Sequence, residues 1–498
     1  MRKAFAIMLA LLIACTGGVI YAFADANAPR EAVVYTEKVL YGDPSAAHGL
    51  NIDLRVHYKY HLLWQSHLDF DQNRFHASTN YMFSQDESRE NPPHDHKGVF
   101  LQDGLRLSME ISKEGEPTGI RKALDELLSE TEPGTTKKQT IRLADYYVYY
   151  PIMVHIELPG LLYTHYPPAD SSRIDIYSSR ENYAVKTMQD FFRIPVLDNH
   201  YMDIEASKVS GGNSAQTSGI GRSERGDSFS MNTAGVTGED ACYFWFSNRT
   251  RNDNLVDTSL IPGGYGIYKL PYGYVDYMKH VAESGETYEY TGPDVFVDEL
   301  SVFYPVDVET RILHLGVNQK KTRLLLHTAE DDKYIVTIID IKNGEALQRL
   351  VVSDYDYSED WYEVDDGDGF TFIRLGNKRI CVVSEGPGEN YEISINSELA
   401  GVELEDDYLP WNWYNRCMAF DGERLAISGS SFLTFIDDKN MRGSNCGFFV
   451  AIYTADGLQY YGIYESSLDR ANYHTANIRL TYNIRPVDYD PVRVSWDK

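Results

Sequence analysis

Seven histidines crowd into one early part of this chain: His48, His57, His61, His67, His76, His94 and His96. Imidazole nitrogens are common transition-metal ligands. His57 and His61 fall on one face of an alternating stretch, and His94-Asp95-His96 offers two more rings. That same face carries Arg55 and Lys59, whose charges repel a cation, and no HExxH spacing accompanies them. The histidines therefore read as solvated side chains, and none is assigned to a metal. A second candidate is acidic. Asp365-Asp366-Gly367-Asp368-Gly369 has the composition of a calcium loop but lacks the D-x-D-x-D-G…E spacing that would wrap the ion.

Nucleophilic chemistry leaves no trace either. There is no GxSxG, HExxH or Cys-His arrangement. The glycines around Gly211-Gly212-Asn213-Ser214 and Gly219-Ile220-Gly221 make neither a Walker pattern nor a dinucleotide fingerprint. Five cysteines, Cys15, Cys242, Cys381, Cys417 and Cys446, include no CxxC pair and read as buried free thiols apart from Cys15 in the leader. Carboxylates are plentiful, and glycoside hydrolysis needs only two of them about 5–10 Å apart, but spacing in sequence selects no pair. No catalytic, cofactor-binding or metal residue is assigned, and no cofactor is expected.

Composition narrows the partners. The 498 residues carry a formal net charge of −28. Such a surface repels phosphate backbones, so no nucleic acid is expected as a partner. Tyrosine stands out, at 38 residues against 20 Phe and 6 Trp. Aromatic side chains suit a pleated surface, which favours β structure. Sheet faces and contacts between sheets account for most of them; a platform for sugar or peptide ligands is the sharper use.

Residues 1–24 form a membrane-targeting segment. Arg2 and Lys3 precede residues 4–24, which hold no charge. At 1.5 Å per residue this run spans a hydrocarbon core of about 30 Å. The basic end stays inside, which puts the remainder on the extracytoplasmic face. An uncleaved signal anchor fits best. Cleavage after Ala22-Phe23-Ala24 would give a secreted protein. Leu12-Ile13-Ala14-Cys15 resembles a lipobox that would lipidate Cys15, although the apolar run continues past it through Phe23.

Residues 25–31 read as a linker and 32–498 as one extracytoplasmic domain. Its plan is clearest at 324–352: apolar strand, acidic turn, apolar strand, Asn343-Gly344 turn, shorter strand. Tyr334, Val336 and Ile338 alternate with Ile335, Ile339 and Ile341, so this strand is expected to be covered on both faces. A strand is expected at 32–41. At 51–62, Ile52, Leu54, Val56, Tyr58, Tyr60 and Leu62 predict one half-buried strand. Residues 118–132 are the single clear helix, with Ile120, Ala123, Leu124, Leu127 and Leu128 on one face. Strand signals return at 145–158. The polar stretch 207–239 reads as a surface loop, and residues 247–264 as a long loop between inner strands 242–246 and 266–270. Further strands fall at 370–375, 379–383, 391–395, 417–420, 425–427, 448–453 and 458–464. A last strand at 478–484 would complete the first blade and close a ring.

At 324–352 and 418–465 the chain looks like WD-repeat and quinoprotein-type β-propellers. It lacks the Gly-His and Trp-Asp signatures, a pyrroloquinoline motif and the sialidase box SxDxGxxW. The resemblance implies architecture and no functional residues: an all-β propeller of roughly seven blades with loop and helix insertions, after an N-terminal membrane segment. The leader followed by KVLYGDPSAAHGLNIDLRVHY is similar to uncharacterised membrane-anchored proteins of clostridial bacteria, which implies export. The expected function is binding or scaffolding of a protein or glycan partner at the membrane of a bacterium. The alternative is a secreted glycan-active hydrolase or lyase using a carboxylate pair.

Overall fold

Alternation with period two turns most of the described residues into antiparallel sheet. The computed structural model describes residues 8, 12–21, 33–58, 62–71, 74–83, 98–103, 120–158, 161–165, 176–208, 215–216, 220–280, 287–357, 361–376, 378–386, 390–398, 416–436, 442–467 and 488–497. Residues 12–21 are helical and leave Leu12, Ile13, Val19, Ile20 and Tyr21 exposed. Among the described residues no helix is long and apolar enough to cross a membrane.

Strands β1 (Tyr35–Gly42), β2 (Leu50–Tyr58), β3 (Leu62–Asp71), β4 (Arg74–Phe83) and β5 (Gly98–Asp103) precede helix α1 (Ile120–Glu130). After β6 (Thr136–Arg142), β7 (Ile152–Leu158) and β8 (Leu161–His165) comes α2 (Ile176–Phe191). Next are β9 (His200–Lys208), β10 (Ala215–Gln216), β11 (Ile220–Gly226), β12 (Thr233–Thr237), β13 (Ala241–Phe246), β14 (Gly266–His280), β15 (Thr287–Val295) and β16 (Ser301–Pro305). Then follow β17 (Arg311–Val317), β18 (Arg323–Glu330), β19 (Lys333–Asp340), β20 (Ala346–Asp354), β21 (Tyr362–Asp366), β22 (Phe370–Leu375), β23 (Arg379–Glu385) and β24 (Tyr391–Glu398). The chain finishes with β25 (Arg416–Phe420), β26 (Leu425–Ile436), β27 (Arg442–Thr454), β28 (Gly457–Ser466) and β29 (Asp488–Trp496).

The chain divides into two compact units, residues 1–93 with 359–498, and residues 94–358. The second holds four sheets: β5-β7-β8; β6, β10 and β11 around β9; β12 to β16; and the meander β17-β18-β19-β20. In that meander β19 is buried on both faces from Tyr334 to Ile339, as its sequence requires. Each of its isoleucines removed to Ala would cost about 2–5 kcal/mol.

The first unit holds three sheets, β29-β2-β3-β4, β21-β22-β23-β24 and β1-β28-β27-β26-β25. Here the two ends of the folded body exchange places. β1 pairs with β28, Glu37 opposite Tyr464, and β29 pairs with β2, Ile52 opposite Val494. Each terminal strand thereby covers an edge that would otherwise present unpaired N–H and C=O groups. The strand paired with β2 is Asp488–Trp496; the expected one at 478–484 lies outside the described residues.

Several expectations need correction. There is a second helix, α2, whose buried residues Ala184 and Met188 are spaced by four and lead to Phe192, just past its end, while Tyr183 stays exposed. That narrow apolar stripe gives little periodic signal. The stretch 207–239 is not simply a loop: β9 runs through Lys208, and β10, β11 and β12 lie within it. Gly226 and Gly235 serve close packing. A Cβ on Gly235 would stand 2.4 Å from the Tyr243 carbonyl oxygen of β13. The alternation at 51–62 breaks into two strands, since Tyr58 pairs with Leu62 across a hairpin. The left-handed pair of the 324–352 meander is Asp331-Asp332, with φ 47° and 55°, rather than Asn343-Gly344, where only Gly344 has positive φ. Asp tolerates that region because its short side chain bonds locally.

Candidate functional site

Of the early histidines, the side chains of His48, His67 and His76 are described; those of His57, His61, His94 and His96 lie outside the described residues. His67 sits between two carboxylates. Its Nδ1 is 2.7 Å from Asp53 Oδ1 and its Nε2 2.9 Å from Asp69 Oδ1. The hydrogen bond to Asp53 leads in raising its pKa above the ordinary histidine value, with Asp69 adding to it. A ring donating from both nitrogens has no lone pair left for a metal. His48 stands 3.6 Å from Asp71. Among the described residues no group of three or more His, Cys, Asp or Glu is arranged to hold a metal ion.

The cysteines are equally quiet. Cys15, Cys242, Cys381 and Cys417 are free thiols. Burial pushes both Cys242 and Cys381 up to about 12, so neither is a nucleophile at neutral pH.

Asp227, just beyond β11, fastens the long loop after β13. It accepts from Thr250 Oγ1 at 2.5 Å, Asn254 Nδ2 at 2.9 Å and the backbone N–H groups of Ser228 and Asn252. Burial works to raise its pKa, and these four donors outweigh it, leaving the carboxyl below its usual value. The Tyr150 hydroxyl meets His200 Nδ1 at 3.0 Å, both residues buried.

The most developed surface constellation lies on β21, just ahead of the glycines of the Asp365–Gly369 stretch. Alternation places Glu363 and Asp365 on one face of this strand, with Trp361 immediately before it. Arg374, opposite Glu363 on β22, is only 2% exposed. Its Nε donates to the Gly376 carbonyl at 3.2 Å, its Nη1 lies 3.9 Å from Glu363 Oε2, and its guanidinium carbon lies 4.5 Å from the Trp361 ring centre. Burial lowers the Arg374 pKa to about 10, which still leaves it charged at neutral pH. Arg416 of β25 then bridges both acids: Nη1 to Glu363 Oε1 at 2.6 Å, Nη2 to Asp365 Oδ2. Its guanidinium carbon also lies 5.4 Å from the Phe372 ring centre.

The result is a fixed row, Trp361, Arg374, Glu363, Arg416, Asp365, with both arginines inward. Trp361 is 46% exposed, and the side chains of Glu363 and Asp365 are 30% and 42% exposed. Asp365 is thus held by Arg416, and Asp366 accepts from Thr371 Oγ1 at 2.8 Å, which takes both out of any calcium loop. The signal that would have found this row is the period-two pattern Trp361-Tyr362-Glu363-Val364-Asp365, which the surrounding acidity obscures.

Compared with known proteins, the chain matches no family model and no curated sequence.

Proposed function

We propose that this chain is an exported, membrane-anchored β-propeller whose sheets are the blades and whose task is to bind a partner rather than to transform a substrate. The exchange of terminal strands, β1 into the last sheet and β29 into the first, supports the propeller reading, because sheet-by-sheet rings close that way. The apolar leader supports export.

One observation carries the choice of binding over hydrolysis. The two adjacent surface carboxylates, Glu363 and Asp365, both contact Arg416. A hydrolase acting on glycans needs one carboxyl group as proton donor and one as anion, kept apart by unlike surroundings. Here both acids are ion-paired to buried arginines, Arg416 for both and Arg374 for Glu363 as well, an arrangement that suits a rigid hydrogen-bonding surface. Crosslinking in intact cells followed by purification of the full chain tests the reading. A reproducible partner is expected. Turnover of peptidoglycan or plant polysaccharide by the purified protein, abolished by Glu363→Gln, would overturn it.

A further inference from the structure

We propose that the β21 row is a subsite for one neutral pyranose ring of a glycan, with the sugar's C–H face stacked on Trp361 and its hydroxyls donating to Glu363 and Asp365. This deepens the binding reading above and rests on it.

Trp361 is covered by Arg374 and remains 46% exposed. The covering group is a guanidinium that is itself buried and tied to a backbone carbonyl and to Glu363, so the indole is held in one orientation before any ligand arrives. A ring that is already fixed spares the ligand the cost of ordering it. Beside it, Glu363 and Asp365 are two positions apart on a strand, which spaces them by about 6.5 Å. Their inner oxygens meet Arg416, and their partial exposure leaves acceptor capacity toward solvent.

The ligand must therefore offer an apolar patch bordered by hydrogen-bond donors. A pyranose ring has this form, with axial C–H groups on one face and hydroxyls around the rim. An anionic sugar or a nucleotide finds no surplus positive charge in the row, where two arginines balance two carboxylates, and meets a chain of net charge −28. A cationic side chain would suit the carboxylates, but Arg374 already occupies the back of the indole and opposes a second cation on its front.

The experiment is calorimetric titration of the full chain in detergent with cellohexaose, xylohexaose, mannohexaose and chitohexaose, and with hexalysine as the cationic probe. Saturable binding of at least one oligosaccharide is expected. Trp361→Ala should weaken it about tenfold or more, the loss of about 1.4 kcal/mol that one stacking contact supplies. Trp361→Phe, which keeps a ring, should weaken it less, and Glu363→Gln with Asp365→Asn should weaken it while preserving shape. If Trp361→Ala does not fold, the Phe and amide variants carry the same comparison. Tyr357→Ala, an exposed ring backed by Arg311 elsewhere, should leave affinity unchanged. No binding of any of the four sugars, sugar binding indifferent to these variants, or hexalysine binding in their place overturns the subsite. A protein partner captured in cells and unaffected by Trp361→Ala would sink this inference while leaving the broader binding function standing.

Discussion

The Tyr460 hydroxyl lies 2.5 Å from Glu37 Oε1, joining two strands whose residues are 423 positions apart. Tyr464 donates to the same oxygen at 2.9 Å, and the two phenols meet at 2.5 Å. Both tyrosines are fully buried, with Phe448 stacked on Tyr464 and Phe70 and Phe75 set edge-on to it. A single carboxylate thus pins β1 to the last sheet. Glu37→Ala leaves one of the two buried phenol protons without an acceptor, since the other can be donated to the neighbouring phenol oxygen, and a loss of about 1–3 kcal/mol is expected. Urea unfolding should show a lower midpoint; an unchanged midpoint would mean that backbone pairing alone holds β1.

The same tyrosines set the alkaline limit. Burial raises the pKa of Tyr464, Tyr460, Tyr461, Tyr453, Tyr268 and Tyr265 above the ordinary phenol value. In the unfolded chain each ionises near pH 10. Above that pH the unfolded state binds fewer protons than the folded one, so stability falls as pH rises. Each such phenol contributes about 1.4 kcal/mol per pH unit, so a steep loss of structure is expected beginning near pH 10. Circular dichroism between pH 8 and 12 checks it, and the part of the tyrosinate absorbance that comes from the buried phenols should appear as a step coincident with unfolding.

His67 behaves with the opposite timing. Its raised pKa favours the imidazolium in the folded state, so its contribution is complete below about pH 6.5 and disappears as pH rises through the folded value. The ring is 46% exposed, which limits the effect to under about 1 kcal/mol. His67→Gln should be less stable than the native protein at pH 6 and indistinguishable from it at pH 9. A difference independent of pH would assign the effect to packing instead.

How much of this was readable beforehand depended on where chemistry and local pattern agreed. β19 announced itself because every position from Tyr334 to Ile339 but Thr337 is apolar, and α1 because five apolar residues keep helical spacing. β12 did not, since a strand built on Gly235 shows no side chain to count and depends on a neighbour only folding supplies. The β21 row was hidden differently. Arg374 and Arg416 come from separate strands, and neither is near Trp361 in a way that sequence spacing can express.

The turn between β18 and β19 offers a local test. Glu330 pairs with Lys333, leaving Asp331 and Asp332 as the two central residues, both at positive φ. A hairpin of this kind prefers Asn-Gly. Asp331→Asn with Asp332→Gly should raise stability by about 0.5–1 kcal/mol, because glycine carries no Cβ penalty there. Asp332→Val should lower it by about 1–2 kcal/mol. Chemical unfolding of the three proteins orders them.

Arg416 and its two acids lead to an asymmetric expectation. Arg416 is 7% exposed at its side chain, whereas Glu363 and Asp365 reach solvent. Arg416→Met removes the buried charge and lets both carboxylates hydrate, so its cost should stay near 1–2 kcal/mol, much of it repulsion between the acids. Glu363→Ala with Asp365→Ala does the reverse, leaving a buried guanidinium without its counter-ions, which typically costs about 3–5 kcal/mol. Adding Arg416→Met to that double variant should then restore stability rather than lower it further. Measuring the four proteins by urea unfolding closes a cycle. Simple additivity of the losses would mean that the row is a set of independent surface contacts, and would remove the rigidity on which the binding face depends.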